Sequence, residues 1–111
     1  MKLELTEAQI QGSCIEWFRY QYPELILFSI PNEATYKRST YFSSLGALKG
    51  VADTEILFKD GKAVFVEFKT PKGKQKPEQI AFEEKATKLG FNYYVCRSLE
   101  EFQNIIKKEI V

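Results

Sequence analysis

The chain has 111 residues, a net charge of +1 and 44% apolar side chains, which predicts one domain over residues 1–111 with a sizeable core. It contains no histidine, which excludes Ser-His-Asp and Cys-His catalysis, His-ligated zinc and His-based metal nucleases. Any hydrolysis must therefore run on carboxylates, lysine and a hard metal ion. An apolar run long enough to span a bilayer is absent, and Met1–Glu7 is too acidic for a signal peptide, so a cytoplasmic protein away from membranes is expected.

Thr6 supplies an N-cap and Glu7 a first-turn acid for a helix running to about Tyr22, where Pro23 stops it. Ile10, Cys14, Trp17 and Phe18 recur at helical spacing and mark its buried side. Glu7 falls on that side with Gln11, and Glu16 points away. An inward acid in a first turn is either a ligand to a metal or its water, or a partner for the helix N-terminus; spacing leaves both open. Leu25–Ile30 reads as a strand closed by Pro31-Asn32, residues 33–38 as a polar loop, and 41–48 as a short helix ending near Gly46 or Gly50.

Asp53–Phe58 reads as a second strand, Lys59-Asp60-Gly61-Lys62 as a hairpin turn of the Asp-Gly type, and Ala63–Lys69 as a third strand. A basic loop, Thr70–Lys76, leads to a helix with Pro77 at its first position, running to about Leu89 and capped by Gly90. Asn92–Cys96 is a fourth strand, and Ser98 caps a last helix that turns Leu99, Phe102, Ile105 and Ile106 inward. The order α-β-(α)-β-β-α-β-α predicts an α/β protein: a small mixed sheet with helices on both sides, the second and third strands antiparallel, and a right-handed crossover from third to fourth. Cys14 and Cys96 lie at no metal-type spacing and are expected as buried free thiols.

Charge is used unusually at one place. Glu67 and Lys69 project to the same side at the end of an apolar strand. Asp53 opens the strand before it, so an antiparallel hairpin gathers all three at one end of the sheet. Charges set into a strand built for burial are costly unless they bind something. Carboxylates from two strands can hold Mg2+ or Mn2+ with water positions open. Such an ion lowers the pKa of a bound water, and a neighbouring lysine can position that water or stabilise developing charge. A divalent metal and a phosphodiester are the expected ligands. Local basic patches, Lys37, Arg38 and Lys49 before Asp53 and Lys72, Lys74 and Lys76 after Lys69, are candidate DNA-contacting groups, although each alone reads equally as a solvated side chain.

Four segments in order, Glu7-x-x-x-Gln11, Gly50-Val51-Ala52-Asp53, Val66-Glu67-Phe68-Lys69 and Pro77-Glu78-Gln79, resemble the VRR-NUC nucleases, a branch of the PD-(D/E)xK restriction-endonuclease-like superfamily. The resemblance covers nearly the whole chain, including Tyr22-Pro23, Pro31-Asn32 and Val95-Cys96-Arg97. It implies a restriction-endonuclease-like α/β/α sandwich and a metal-dependent DNA endonuclease using Mg2+ or Mn2+. Asp53, Glu67 and the Phe68 carbonyl would hold the metal, with Glu7 beside it or its water. Lys69 would be the catalytic lysine, and Gln79 would orient Lys69 or the attacking water. Ala52 departs from the proline that often precedes the aspartate in this family, which frees a φ angle and loosens the turn.

Short stand-alone members look like phage or mobile-element proteins, tend to be homodimers and resemble Holliday-junction resolvases. The resemblance therefore implies selective cleavage of Holliday junctions or other branched DNA in replication, recombination or repair, by a homodimer in the (host) cytoplasm. Tyr41, Phe42, Phe91, Tyr93 and Tyr94 are either surplus aromatics for such a dimer or core filling. The competing reading is a catalytically weak or inactive structure-selective nucleic-acid-binding module on the same fold. Its signature, loss of a catalytic acid or the lysine, is missing from the sequence.

Overall fold

A computed structural model describes residues 3–31 and 45–111. The expected DNA contacts Lys37 and Arg38, the 33–38 loop, and Tyr41 and Phe42 lie outside them. Helix α1 spans Glu7–Gln21. Thr6 and Gln9 close a reciprocal capping box, the Thr6 hydroxyl accepting from Gln9 N–H at 3.1 Å and the Gln9 side chain from Thr6 N–H at 2.9 Å. Strand β1 follows at Ile26–Ser29, a residue shorter at each end than the sequence predicts. The described part of the predicted 41–48 helix is not helical: Leu45–Gly50 runs through turns with Gly46 and Gly50 at φ +100° and +88°. Left-handed glycines end helices rather than continue them.

Strands β2 (Thr54–Leu57) and β3 (Ala63–Phe68) form a hairpin around a short 3-10 turn at Lys59–Gly61. Asp60 and Gly61 both have positive φ, +62° and +73°, as the favoured Asp-Gly hairpin turn requires. Helix α2 (Pro77–Lys88), strand β4 (Asn92–Cys96) and helix α3 (Leu99–Glu109) complete the order. The sheet order is β1-β2-β3-β4, with β1/β2 and β2/β3 antiparallel and β3/β4 parallel.

Alternation along the strands sorts side chains to two faces. Leu27, Ile56, Val64, Val66, Phe68 and Cys96 form one face and pack beneath Ile10, Cys14 and Phe18 of α1 and Phe102 and Ile106 of α3. Phe102 is the hinge of this layer, its ring 6.2 Å from Phe18 and 5.8 Å from Phe68 between centroids. The opposite face carries Phe65, met edge-on by Phe82 of α2 at 5.3 Å. Helices thus cover both faces of the sheet, as expected. The two cysteines are buried and free, and the neighbouring Cys96 together with burial pushes the Cys14 thiol up.

At the far end of α3, Glu109 is 4% exposed. It accepts hydrogen bonds from Tyr94 Oη and from Asn92 Nδ2 at 2.8 Å, and pairs with Lys62 at 3.1 Å. Burial pushes its carboxyl up, but the hydrogen bonds from Tyr94, Lys62 and Asn92 outweigh that and hold it below the ordinary range. This cluster ties α3 to β4 and to the end of the hairpin.

Candidate active site

The hairpin register pairs Thr54 with Val66, so one residue further Asp53 stands across from Glu67. Two carboxylates directly opposite each other are unfavourable in a sheet. Both also leave the solvent: Glu67 is 1% exposed and Asp53 is half-buried. Burial is the largest influence on each and raises both carboxyls above their ordinary values. The Phe68 N–H and Lys69 oppose the rise at Asp53, while Tyr93 and Lys69 oppose it at Glu67. The charge of Glu7 pushes Asp53 further up.

The hydrogen bonds show which oxygens are in use. Asp53 Oδ2 accepts from Phe68 N–H at 2.7 Å, and Glu67 Oε1 accepts from the Tyr93 hydroxyl. Glu67 Oε2 is buried without a hydrogen-bond partner, its nearest cation being Lys69 Nζ at 3.8 Å. A buried anionic oxygen left unsatisfied costs on the order of 1–3 kcal/mol or more, so it is a feature to be explained by function. Since a strand residue's N–H and C=O project to the same edge, the Phe68 carbonyl faces the side of Asp53. Lys69 is itself only 6% exposed, its backbone N–H held by Cys96 O at 3.0 Å.

A cavity of about 220 Å3 opens over this end of the sheet, lined among others by Glu7, Asp53, Lys69, Lys76 and Gln79. Glu67 lies behind its wall, reaching it through Lys69. Glu7 is exposed at the rim, and among the described residues no group of three or more Asp, Glu, His or Cys side chains converges as a metal centre. The sequence-based ligand set of Glu7, Asp53 and Glu67 is therefore not gathered into one cluster, although Asp53 feels the charge of Glu7 and Glu67 that of Asp53. The reason is local: α1 is anchored on the sheet through Ile10, Cys14 and Phe18, which leaves its first turn at the cavity's edge. Gln79 lines the cavity, but its Oε1 accepts from Lys76 N–H at 2.7 Å and so helps to cap α2, leaving only its amide nitrogen for the site.

Asp53, Glu67 and the Phe68 carbonyl offer hard oxygen donors, one oxygen already orphaned, which fits Mg2+ or Mn2+ rather than a softer ion. Of the described candidate DNA contacts, Lys49, Lys72, Lys74 and Lys76 are exposed, and among these Lys76 borders the cavity.

Four structural partners escaped sequence reasoning. Tyr93 holds Glu67, and Gln75 lies beside both. Arg97 Nη1 donates into the turn after Lys69, to Thr70 O at 2.6 Å, Gly73 O at 2.7 Å and Pro71 O at 3.3 Å. Gly50 presses on α2 so closely that a Cβ would lie 2.2 Å from Glu78 O. Tyr93 and Tyr94 spend their hydroxyls on Glu67 and Glu109, and Phe91 packs on Phe65 at 5.8 Å; these three of the five aromatics weighed for a dimer make contacts within the chain.

Four solved chains match this fold, among them two described as "VRR_NUC domain" and "VRR_NUC domain protein". The first is 22% identical with a TM-score of 0.67 over 91% of this chain and 94% of its own. The second is 20% identical with a TM-score of 0.71 over 95% and 88%. No family model and no curated protein matches the sequence. The likeness extends over nearly the whole chain and is a likeness of fold.

Proposed function

We propose that this chain is a metal-dependent DNA endonuclease that hydrolyses phosphodiester bonds. The observation that carries the reading is the orphaned, buried Oε2 of Glu67, set opposite Asp53 and 3.8 Å from Lys69. Buried acids raised by desolvation and gathered at one sheet end are the kind of groups that active sites collect. The match to solved VRR_NUC domains agrees with this reading.

Asp53, Glu67 and the Phe68 carbonyl would hold Mg2+ or Mn2+, which when bound supplies charge neutralisation and a more acidic water. Lys69, buried beside Glu67, would stabilise negative charge growing on the phosphate. Lys76 at the cavity edge, with Lys72 and Lys74 on the neighbouring loop, would hold the flanking phosphates. Phosphate contacts orient DNA without specifying sequence, which suits a choice made by shape: a Holliday junction or other branched DNA, cut by a homodimer whose two-fold axis sets two sites against two strands. A role in replication, recombination or repair in the cytoplasm, of a host cell if phage-encoded, follows from that substrate.

A cleavage panel of linear and branched DNAs with Mg2+ or Mn2+ tests this, alongside Lys69→Ala and Asp53→Asn. Both variants should lose cutting by at least about a hundredfold while retaining DNA binding. Undiminished cutting by Lys69→Ala would refute the assignment. Tight branched-DNA binding by the parent with no cutting of any substrate would identify a binding module instead.

A further inference from the structure

We infer that Tyr93 is a positioning residue for Glu67: by donating its hydroxyl proton to Oε1 it dictates which carboxylate oxygen is offered to the proposed divalent cation. The inference rests on the metal-site reading above and deepens it.

A glutamate carboxylate turns easily about its last torsion, which is broad and two-fold. Left alone, Glu67 would exchange its two oxygens, and either could meet Lys69. The Tyr93 hydroxyl breaks that symmetry. One oxygen is satisfied, and the other, Oε2, remains without a partner on the side of Lys69.

The phenol can do this because it is itself held in place. Tyr93 stands on β4 in parallel register with Phe65, two residues before Glu67 on β3. Its ring packs against Phe82 of α2, 6.0 Å between centroids. Gln75 lies beside both Glu67 and Tyr93, and its Nε2 donates to Glu83 Oε1 on α2 at 3.0 Å. Helix α2 and strand β4 thus hold the ring whose hydroxyl meets one oxygen of Glu67. A tyrosine serving only to fill the core would need its ring and not this bond. Outer-shell partners of this kind typically change metal affinity by about 10–100-fold.

The test is calorimetric titration of MnCl2 into the DNA-free parent, Tyr93→Phe and Asp53→Asn, followed by cleavage rates across a Mn2+ series. Tyr93→Phe keeps the ring and removes only the hydroxyl. It should bind Mn2+ about tenfold or more weakly, and recover the parent's cleavage rate at saturating Mn2+ with a raised half-saturating concentration. Asp53→Asn should also bind weakly, which assigns the heat to this site. Parent-like affinity in Tyr93→Phe overturns the inference and leaves the metal site standing. A rate that stays low in Tyr93→Phe at every Mn2+ concentration overturns it too, because damage to the fold, unlike lost positioning, is not repaired by metal. If the parent takes up no Mn2+, or Asp53→Asn binds as well as the parent, the metal site falls and the inference with it. Should Tyr93→Phe fail to fold, Phe82→Leu, which loosens the support of the Tyr93 ring, carries the same titration: weakened Mn2+ binding supports the inference, and unchanged binding overturns it.

Discussion

Gly50→Ala offers a severe test of how the site is assembled, because the structure supplies its own control. Gly50 and Gly90 have nearly the same backbone, φ +88° and +95°, but a Cβ on Gly90 meets nothing within 4 Å whereas one on Gly50 lies 2.2 Å from Glu78 O and 2.5 Å from Glu78 C. The left-handed backbone alone costs an alanine about 1–2 kcal/mol, offset by about 0.4–1 kcal/mol from the stiffer unfolded chain. Gly90→Ala should therefore destabilise by about 1 kcal/mol or less. At Gly50 the obstacle is helix backbone, not a flexible side-chain tip, so α2 or the Gly50–Asp53 segment must shift. Overpacking of this kind adds about 1–3 kcal/mol, occasionally more, which brings Gly50→Ala to roughly 2–4 kcal/mol. Urea denaturation of the two variants at pH 7 measures the difference directly, with equal slopes confirming a common unfolded state. Because Gly50 leads into Asp53 and Glu78 adjoins Gln79, Gly50→Ala should also lose Mn2+ affinity while Gly90→Ala keeps it. Equal midpoints for the two variants would refute the close approach of loop and helix on which this reasoning depends.

Asp53→Asn keeps an acceptor for Phe68 N–H and removes a charge that burial and Glu7 make unfavourable. The metal-free protein should gain up to about 1 kcal/mol at pH 7 in a thermal melt with chelator. A carboxyl raised on folding contributes stability that is full below its ordinary pKa and lost as pH rises through the raised value; the variant's advantage should therefore vanish as the pH is lowered toward 4, and a lower melting temperature at pH 7 would count against the account. Glu109→Gln should have the opposite pH signature. Its carboxyl is held below the ordinary range, so its contribution is present above that range and lost as pH falls through the lowered value. Urea midpoints should show a deficit of about 2–3 kcal/mol at pH 7 that shrinks in acid. Arg97→Ala frees three carbonyls of the 70–73 turn; nicking by trypsin after Lys72 or Lys74 should speed up about tenfold or more while the melting midpoint changes little. Unaltered nicking would show that the turn holds itself.

What the sequence made legible was whatever depends on short-range pattern. Alternation in Ala63–Phe68 and the Asp60-Gly61 turn determined the β2–β3 hairpin, and the hairpin alone was enough to set Asp53 across from Glu67. Thr6, Pro77 and Ser98 marked the helix starts for reasons confined to one turn of chain. Of the 41–48 helix only residues 45–48 are described, and they are not helical, with Gly46 left-handed where an end was expected. Tyr93 and Arg97 were invisible as site partners because their roles follow from the parallel register of β4 beside β3, a pairing made across the whole of α2. Gln79 was read for chemistry alone, although an amide three residues into a helix also serves the helix N-terminus. The burial of Glu67 was the least legible point: charge on an apolar strand signals a conflict, but only the packed fold shows that one oxygen is satisfied and its twin is not.

The parallel pairing of β3 with β4 also bears on when the protein acquires its chemistry. Glu7, Asp53, Glu67, Lys69 and Gln79 all precede residue 90 in the chain. Yet Tyr93, and the Cys96, Phe102 and Ile106 side chains that complete the core, come later. A chain stopped at residue 90 therefore holds every candidate catalytic group but lacks strand β4, the α3 side of the core and the Tyr93 hydroxyl that bonds Glu67. Chains that stop after Gly90 should be unfolded by circular dichroism and bind no Mn2+, so that the proposed site forms only once residues 91–111 are present and not gradually along the chain.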